Sequence, residues 1–304
     1  MTSSNDLHVT VAIPTYRREQ VLLDTLDYLL ALRPGAAEIL VLDQTELHEA
    51  GTLDRLGALN DAGHIRWLRL ATPSIPQAMN RGLLEAHQDI VLFLDDDIRP
   101  EADLVAAHHA AHQQHPDVLV AGRVIQPWEE GRDFSADSKF HFACMKPFWI
   151  DEFMGGNFSV RRETALALGG FDENFVRVAY RFEAEFAHRF RASGRRIRFE
   201  PDACLHHLKD AGGGTRTYGE HLTTCKPDHA VGAYYHALRT NSRGRWLGFF
   251  LVRPIRAVAT RYHLSHPWRI PLTLLGEFRG MWWALRLFLN GPRYIGSPDK
   301  RTNA

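Results

Sequence analysis

The sequence predicts an α/β fold with a mostly parallel sheet covered by helices on both faces. Two observations carry this reading: short, near-continuous apolar runs recur through the first 125 residues, and stretches with helical apolar spacing lie between them. Val9–Ile13 is the first run, ending at Pro14, and Val21, Leu22, Leu26 and Leu29 then share one helical face. Glu38–Leu42 is the second run, closed by Asp43, and Ile65–Leu70 is the third, with a helix over Ile75–His87. Ile90–Leu94 runs into Asp95, Asp96 and Asp97, a helix follows over Glu101–His115, and Val118–Val124 is the fifth run.

A length of 304 residues suits one large domain or two ordinary ones, and 45% hydrophobic with 24% charged residues is a globular composition. Cys144, Cys204 and Cys225 are far apart and lack C-x-x-C spacing, which argues against a disulfide framework or zinc ribbon and suits a reducing cytosol. Met1–Asp6 is short and polar, so no signal peptide is expected, and no apolar run reaches the roughly 18 residues of a membrane span. The net charge of zero hides an asymmetry: from Arg239 onward, twelve Lys and Arg face only Glu277 and Asp299. The expected division is a body over 1–238, with halves of about 1–125 and 126–238, and a basic, aromatic, helical tail over 239–304.

Ligands of such sheets bind outside the carboxyl ends of the strands. Pro14-Thr15-Tyr16, Asp43 and Asp95-Asp96-Asp97 all fall there, which points to one site built from three loops, although Asp43 alone could simply begin a turn. Adjacent carboxylates at a buried strand end repel one another and persist best around a cation. In an extended segment Asp95 and Asp97 point the same way and Asp96 points opposite, so two hard oxygen ligands face one side, as Mg²⁺ or Mn²⁺ would require. The alternative is an N-cap cluster for the following helix.

These segments resemble the family 2 glycosyltransferases of the GT-A fold. The resemblance rests on residues 11–18 (Val-Ala-Ile-Pro-Thr-Tyr-Arg-Arg), 39–43 (Ile-Leu-Val-Leu-Asp), Asn80-Arg81-Gly82, 93–100 around the Asp triplet, 155–162 from Gly155 to Arg162, and Gly169–Glu173, and it covers roughly residues 8–220. It implies transfer of a sugar from a nucleotide-diphosphate donor, most often a UDP-sugar, to a hydroxyl acceptor. By resemblance Pro14, Thr15 and Tyr16 line the base pocket, Asp43 bonds the nucleobase, Asp95 and Asp96 contact ribose and base-side groups, and Asp97 holds the metal, Mn²⁺ or Mg²⁺. Gly156 and Asn157 would lie beside the donor sugar and acceptor.

Inverting transfer needs a base for the acceptor proton and positive charge on the departing diphosphate. The family's acidic pair before an apolar-x-x-Arg stretch, aligned on Arg189, places the base at Glu183. Phe182-Glu183 replaces the usual Glu-Asp, and Glu185, about 200° round a helix from Glu183, is the alternative. In similar transferases a histidine following the Phe199–Ala203 segment completes the metal shell, which lands on His207. The Gly-rich stretch from Asp210 to Arg216 reads either as a loop closing over the diphosphate, with Thr215 and Arg216 as phosphate contacts, or as a surface linker. The aromatic-rich stretch 126–150 reads as a packed loop or a sugar-stacking surface.

His108, His112 and His115 lie near one helical face among alanines and read as a solvated face. No Q-x-x-R-W motif is present, which argues against a processive synthase, and no phosphate-loop motif suggests an NTPase. The tail is too charged to span a bilayer. It suits an anionic membrane surface on the inner face of the cell membrane, or packing or homo-dimer contact; no module for nucleic acid accompanies its charge. The expected function is a metal-dependent, inverting, non-processive transferase of surface glycan or glycolipid synthesis, cytoplasmic or peripheral, with a glycan or lipid-linked acceptor. The alternatives are a sugar-1-phosphate nucleotidyltransferase, for which the Pro14–Arg17 segment lacks the Gly-rich loop, and a catalytically silent sugar-nucleotide-binding protein.

Overall fold

In the computed structural model, which describes residues 7–214, 218, 222–241 and 244–297, the apolar runs become adjacent strands. β1 (Leu7–Thr15), β2 (Ala36–Asp43), β3 (Arg66–Arg69) and β4 (Ile90–Leu94) are parallel, in the order β3-β2-β1-β4. Every residue of β4 is buried, which is why its sequence is apolar without alternation. α1 (Gln20–Ala31) turns Leu22, Leu26 and Leu29 into the core with Val11 and Ile13. α2 (Ala50–Asp61), not anticipated, buries only Thr52, Leu56 and Leu59, so its apolar stripe is thin. α3 (Ile75–Glu85) precedes β4.

Beyond β4 the sheet becomes mixed. β4 pairs antiparallel with β8 (Asn157–Arg161), β8 antiparallel with β6 (Val118–Ile125), and β6 parallel with β9 (Arg196–His207). β9 also carries two short antiparallel partners, β5 (Ile98–Pro100) and β7 (Phe148–Ile150). The result is a nine-stranded sheet, with α4 (Leu104–Gln114) packed on β9, β1 and β6.

One irregularity sets up the site. Gly122 pairs with Glu200 but Arg123 pairs with Cys204, so Pro201, Asp202 and Ala203 bulge out of β9. The Ala203 carbonyl and the Asn157 amide occupy the space where a side chain at position 122 would sit, so only glycine fits there. Beyond the bulge β9 pairs Ile98 with His207, and the Leu208 amide donates to the Asp97 carbonyl at 2.8 Å. This pairing sets His207 beside the Asp triplet, although 110 positions separate Asp97 and His207 in the chain.

The expectation of a solvated histidine face on α4 is corrected. His108 and His112 are fully buried; the Ser159 hydroxyl bonds both, and His108 Nε2 lies 2.9 Å from Asn157 Oδ1. Burial pushes their pKa values down, to about 4 for His108 and about 3 for His112, so both are neutral imidazoles. Their face is the one that also buries Leu104, Val105 and Ala111. The aromatic stretch is mainly packed: Phe140 meets Phe142, Phe148 and Phe199 edge-on.

The chain divides into two compact units. The first holds residues 7–73, 78–170 and 187–214 and contains the whole sheet; the second holds 74–77, 171–186 and the described residues from 218 onward. In the second, α7 (Ala230–Thr240) is buried almost along its length, including Tyr234 and Tyr235. α8 (Arg245–Val258), α9 (Arg261–Ser265) and α10 (Ile270–Leu289) follow. Gly280 lets α10 approach Ala230 of α7 closely. Tyr234 donates to Glu277 at 2.7 Å, and Tyr235 donates to Asp172 at 2.7 Å. Thus the basic stretch from Arg239 packs with residues 171–186 and α7 in one unit. Among the described residues, no helix is long and apolar enough to cross a membrane.

Candidate active site

The parallel register of β1 and β2 places Thr15 opposite Asp43 at their carboxyl ends. Asp43 is fully buried: its Oδ2 accepts from Trp67 Nε1 at 2.9 Å and lies 2.8 Å from His48 Nε2, while its Oδ1 accepts from the Thr45 amide at 2.8 Å. Pro14 and Tyr16 are half-buried on the same strand end. Arg17 has φ +55 and donates its amide to Thr45 Oγ1, a strained turn held by its neighbours.

Immediately after β4 the three aspartates separate. Asp96 turns toward β1, where Thr15 Oγ1 donates to it at 2.7 Å and Arg18 Nε at 3.1 Å. Burial pushes its carboxyl up to about 7, against the lowering from Arg18 and Thr15. Asp95 and Asp97 turn to the other side, where His207 Nε2 lies 3.2 Å from Asp97 Oδ1 and 4.0 Å from Asp95 Oδ2. One donor atom from each of these three residues falls within 4.8 Å of the other two. Burial raises the Asp97 carboxyl, but the hydrogen bond and charge of His207, Arg18 and the Asp210 amide outweigh it and hold the group below its usual range. Desolvation pushes the Asp95 carboxyl upward, against the opposing charge of His207; since 47% of its side chain reaches solvent, water softens that push.

Arg18 and Gln126 support this cluster, and neither was assigned a role from the sequence. Arg18 is buried, bonds Asp96, reaches Asp97 Oδ2 at 3.2 Å and Asp210 Oδ1 at 2.9 Å, and also donates to the Gly212 carbonyl. One guanidinium therefore offsets charge on three carboxylates. Gln126 Oε1 lies 3.2 Å from His207 Nδ1. With Nδ1–H donated there, a cation that displaced the Nε2 proton now shared with Asp97 would find the Nε2 lone pair aimed between Asp95 and Asp97, the orientation a metal-ligating imidazole needs.

The Gly-rich segment lies across this group. The Asp210 amide donates to Asp97 Oδ2 at 3.0 Å, and the Gly214 amide donates to the Tyr16 carbonyl at 2.8 Å. Gly213, at φ +62, sits against the Tyr16 and Arg17 carbonyls where no side chain would fit. Thr215 and Arg216 lie outside the described residues. Gly156 sits under Asp95, whose carboxylate fills the space a Cβ would take. Asn157 is fully buried, with Nδ2 donating to the Arg123 and Ala203 carbonyls and Oδ1 facing His108. It braces the sheet beside Gly156 and turns no polar atom outward.

Glu183 and Glu185, in the second unit, both fall in the first turn of α6 (Phe182–Ala192), the helix that follows α5 (Arg162–Ala167) in the chain. Glu185 is buried and accepts from Tyr294 at 3.3 Å, with Arg239 Nη2 4.0 Å away. Glu183 is half-buried. Arg177, Ala179 and Arg181, just before the helix, all have positive φ, and Gly232 of α7 lets the Tyr180 carbonyl approach closely. Three such residues within five positions mark a tightly determined helix entry.

The sequence model described as Glycosyl transferase family 2 matches residues 10–170, slightly more than half of the chain. No curated protein sequence matches it significantly. Among solved structures, S. aureus TarS 1–349 with UDP-GlcNAc is similar at TM-score 0.56 and 13% identity, covering 96% of this chain and 100% of that one. The mannosyltransferase PcManGT from Pyrobaculum calidifontis with GDP-Man and Mn²⁺ is similar at TM-score 0.53 and 19% identity, covering 95% and 80%. GalNAc-T7 with UDP, GalNAc and Mn²⁺ gives TM-score 0.55 and 16% identity over 67% of this chain, which spans only 44% of that protein. At these identities the structural likeness speaks for the fold, and the matched sequence family speaks for the lineage: the chain belongs to glycosyltransferase family 2 and has the GT-A fold.

Proposed function

We propose that the protein is a metal-dependent, inverting, non-processive glycosyltransferase that uses a nucleotide-diphosphosugar, a UDP-sugar first, and a hydroxyl acceptor of surface glycan or glycolipid. One observation carries the reading: Asp95, Asp97 and His207 converge within 4.8 Å at the strand ends where α/β folds bind nucleotides. Two carboxylates and one imidazole fit a divalent cation, and the imidazole favours Mn²⁺ over Mg²⁺. Such a cation would supply positive charge to the departing diphosphate. Arg18 leaves Asp97 Oδ1 to that role by engaging Oδ2.

Pro14, Thr15, Tyr16 and Asp43 make the base side of the donor site, and Asp96, held by Arg18 and Thr15, makes its ribose side. Gly156 opens the sugar side, and Thr215 and Arg216 are the proposed diphosphate contacts. Glu183 takes the acceptor proton as the acceptor oxygen bonds to the anomeric carbon and the bond from that carbon to the diphosphate oxygen breaks. Support for Glu183 over Glu185 comes from burial, since Glu185 is enclosed against Tyr294 and Arg239. Trp128, 60% exposed two residues beyond Gln126, offers a stacking surface for an acceptor sugar.

A thermal-shift panel of nucleotide sugars, with and without Mn²⁺, tests the reading. A UDP-sugar should raise the melting temperature only when Mn²⁺ is present. Glu183→Gln should keep that shift and lose transfer; full turnover by Glu183→Gln would place the base elsewhere.

A further inference from the structure

α8 presents three different faces. Phe250 and Pro254 are buried. Leu247, Leu251 and Ile255, spaced four apart, are exposed, Leu251 at 73%. Between these, Arg245, Phe249, Arg253 and Arg256 line a cavity of about 550 Å³ that also touches Val252 and Glu277. Arg253 Nε lies 3.0 Å from Glu277 Oε2, and Tyr234 donates to the same oxygen, so the acid of this cavity is already compensated. Among the described residues, no ion pair engages Arg245 or Arg256, and both side chains are exposed.

A cavity with an uncompensated guanidinium group toward each end, about 16 Å apart along the helix, and an exposed apolar stripe beside it suits amphiphiles with oxyanion heads. A water-soluble phosphate would use the arginines and leave the apolar stripe unmatched. The same stretch exposes Trp268 and Trp282 at 66% and 65%, and carries twelve basic residues against two acidic ones. Exposed tryptophan, dense positive charge and short apolar faces belong to a protein surface that lies in a lipid interface. We propose that the α8 cavity receives headgroup phosphates of anionic bilayer lipids, with Arg245 and Arg256 as their contacts toward its two ends and Leu247, Leu251 and Ile255 entering the acyl boundary. The site goes beyond the transfer chemistry and does not rest on it.

Vesicle flotation of the full chain tests this, using phosphatidylcholine alone and phosphatidylcholine containing phosphatidylglycerol. The wild type should bind the anionic vesicles and not the neutral ones. Arg245→Gln/Arg256→Gln should bind about 30-fold more weakly, from ~1 kcal/mol per basic residue at a membrane surface. Arg279→Gln/Arg286→Gln, with the same charge change on α10, should lose less than a third of that factor, and Leu251→Glu should weaken binding without any change in the arginines. Unchanged melting temperatures confirm that the exposed substitutions leave the fold intact. Equal binding to both vesicle types, or equal loss in the two double variants, overturns the site. So does titration showing that glycerol phosphate binds the wild type as tightly as the anionic vesicles do. A dimer in sedimentation velocity that Arg245→Gln/Arg256→Gln dissociates would assign the face to a second copy of the chain and overturn it too.

Discussion

Replacing Arg18 with Met keeps the length of the side chain and removes its charge. The guanidinium lies 3.1 Å from Asp96, 3.2 Å from Asp97 and 2.9 Å from Asp210; the first two partners are buried and the third is partly exposed. Removing one member of a buried ionic group typically costs 3–5 kcal/mol, because the remaining charges stay desolvated. Two of the three partners here are deeply enclosed, so a loss of ~4 kcal/mol is expected, discounted little for Asp210. Chemical denaturation by circular dichroism should show it as a lower midpoint at unchanged slope. At pH 8.5, above the raised Asp96 pKa of about 7, Asp96→Asn removes the carboxylate charge that Arg18 compensates in the wild type while leaving an oxygen for the Thr15 hydroxyl. Arg18→Met/Asp96→Asn should therefore be at least ~2 kcal/mol more stable than the sum of the single effects predicts. A loss below ~1 kcal/mol for Arg18→Met, or strict additivity, would show that the guanidinium is not the counter-ion of this cluster.

Two other perturbations probe neighbouring parts of the structure. His108 and His112 have depressed pKa values, about 4 and about 3, so between pH 6.5 and 4 the unfolded chain binds protons that the native state excludes. Their contribution is intact above pH 6.5 and is lost as pH falls; Asp96, with its raised pKa, acts in the opposite sense. Comparing wild type with His112→Leu cancels the Asp96 term: the variant should gain relative stability by up to ~1.4 kcal/mol per pH unit below 6.5, and parallel curves would refute the buried neutral state. Gly156→Ala places a methyl where the Asp95 carboxylate lies; Mn²⁺ affinity in the presence of UDP should fall ~10-fold or more with a near-native melting temperature, and unchanged affinity would remove Asp95 from the cation site.

The parallel half of the sheet was legible because its strands are buried on both faces and read as unbroken apolar runs; β4 matches the expected Ile90–Leu94. The split of the Asp triplet followed from strand alternation, and it agrees with Asp95 and Asp97 facing His207 while Asp96 faces Arg18. Arg18 escaped a role because its partners are 78, 79 and 192 positions away, and an arginine after a strand reads as exposed. Its place at the end of the 11–18 segment, beside a strand end that carries the site, was the available signal. His48 and Trp67 around Asp43, and Gln126 behind His207, are likewise long-range partners without local pattern. The α4 histidines were misread because alanine neighbours blur the inward face; Leu104, Val105 and Ala111 mark it. α2 escaped because three buried residues make too thin a stripe to stand out.

Calorimetric titration of UDP into the wild type and Asp97→Ala, each with and without Mn²⁺, tests the central claim most directly. The wild type should bind UDP tightly only with Mn²⁺, and Asp97→Ala should lose that dependence together with the affinity. UDP binding to wild type that ignores Mn²⁺, or Mn²⁺-dependent binding to Asp97→Ala at wild-type affinity, would contradict a cation held between Asp95, Asp97 and His207.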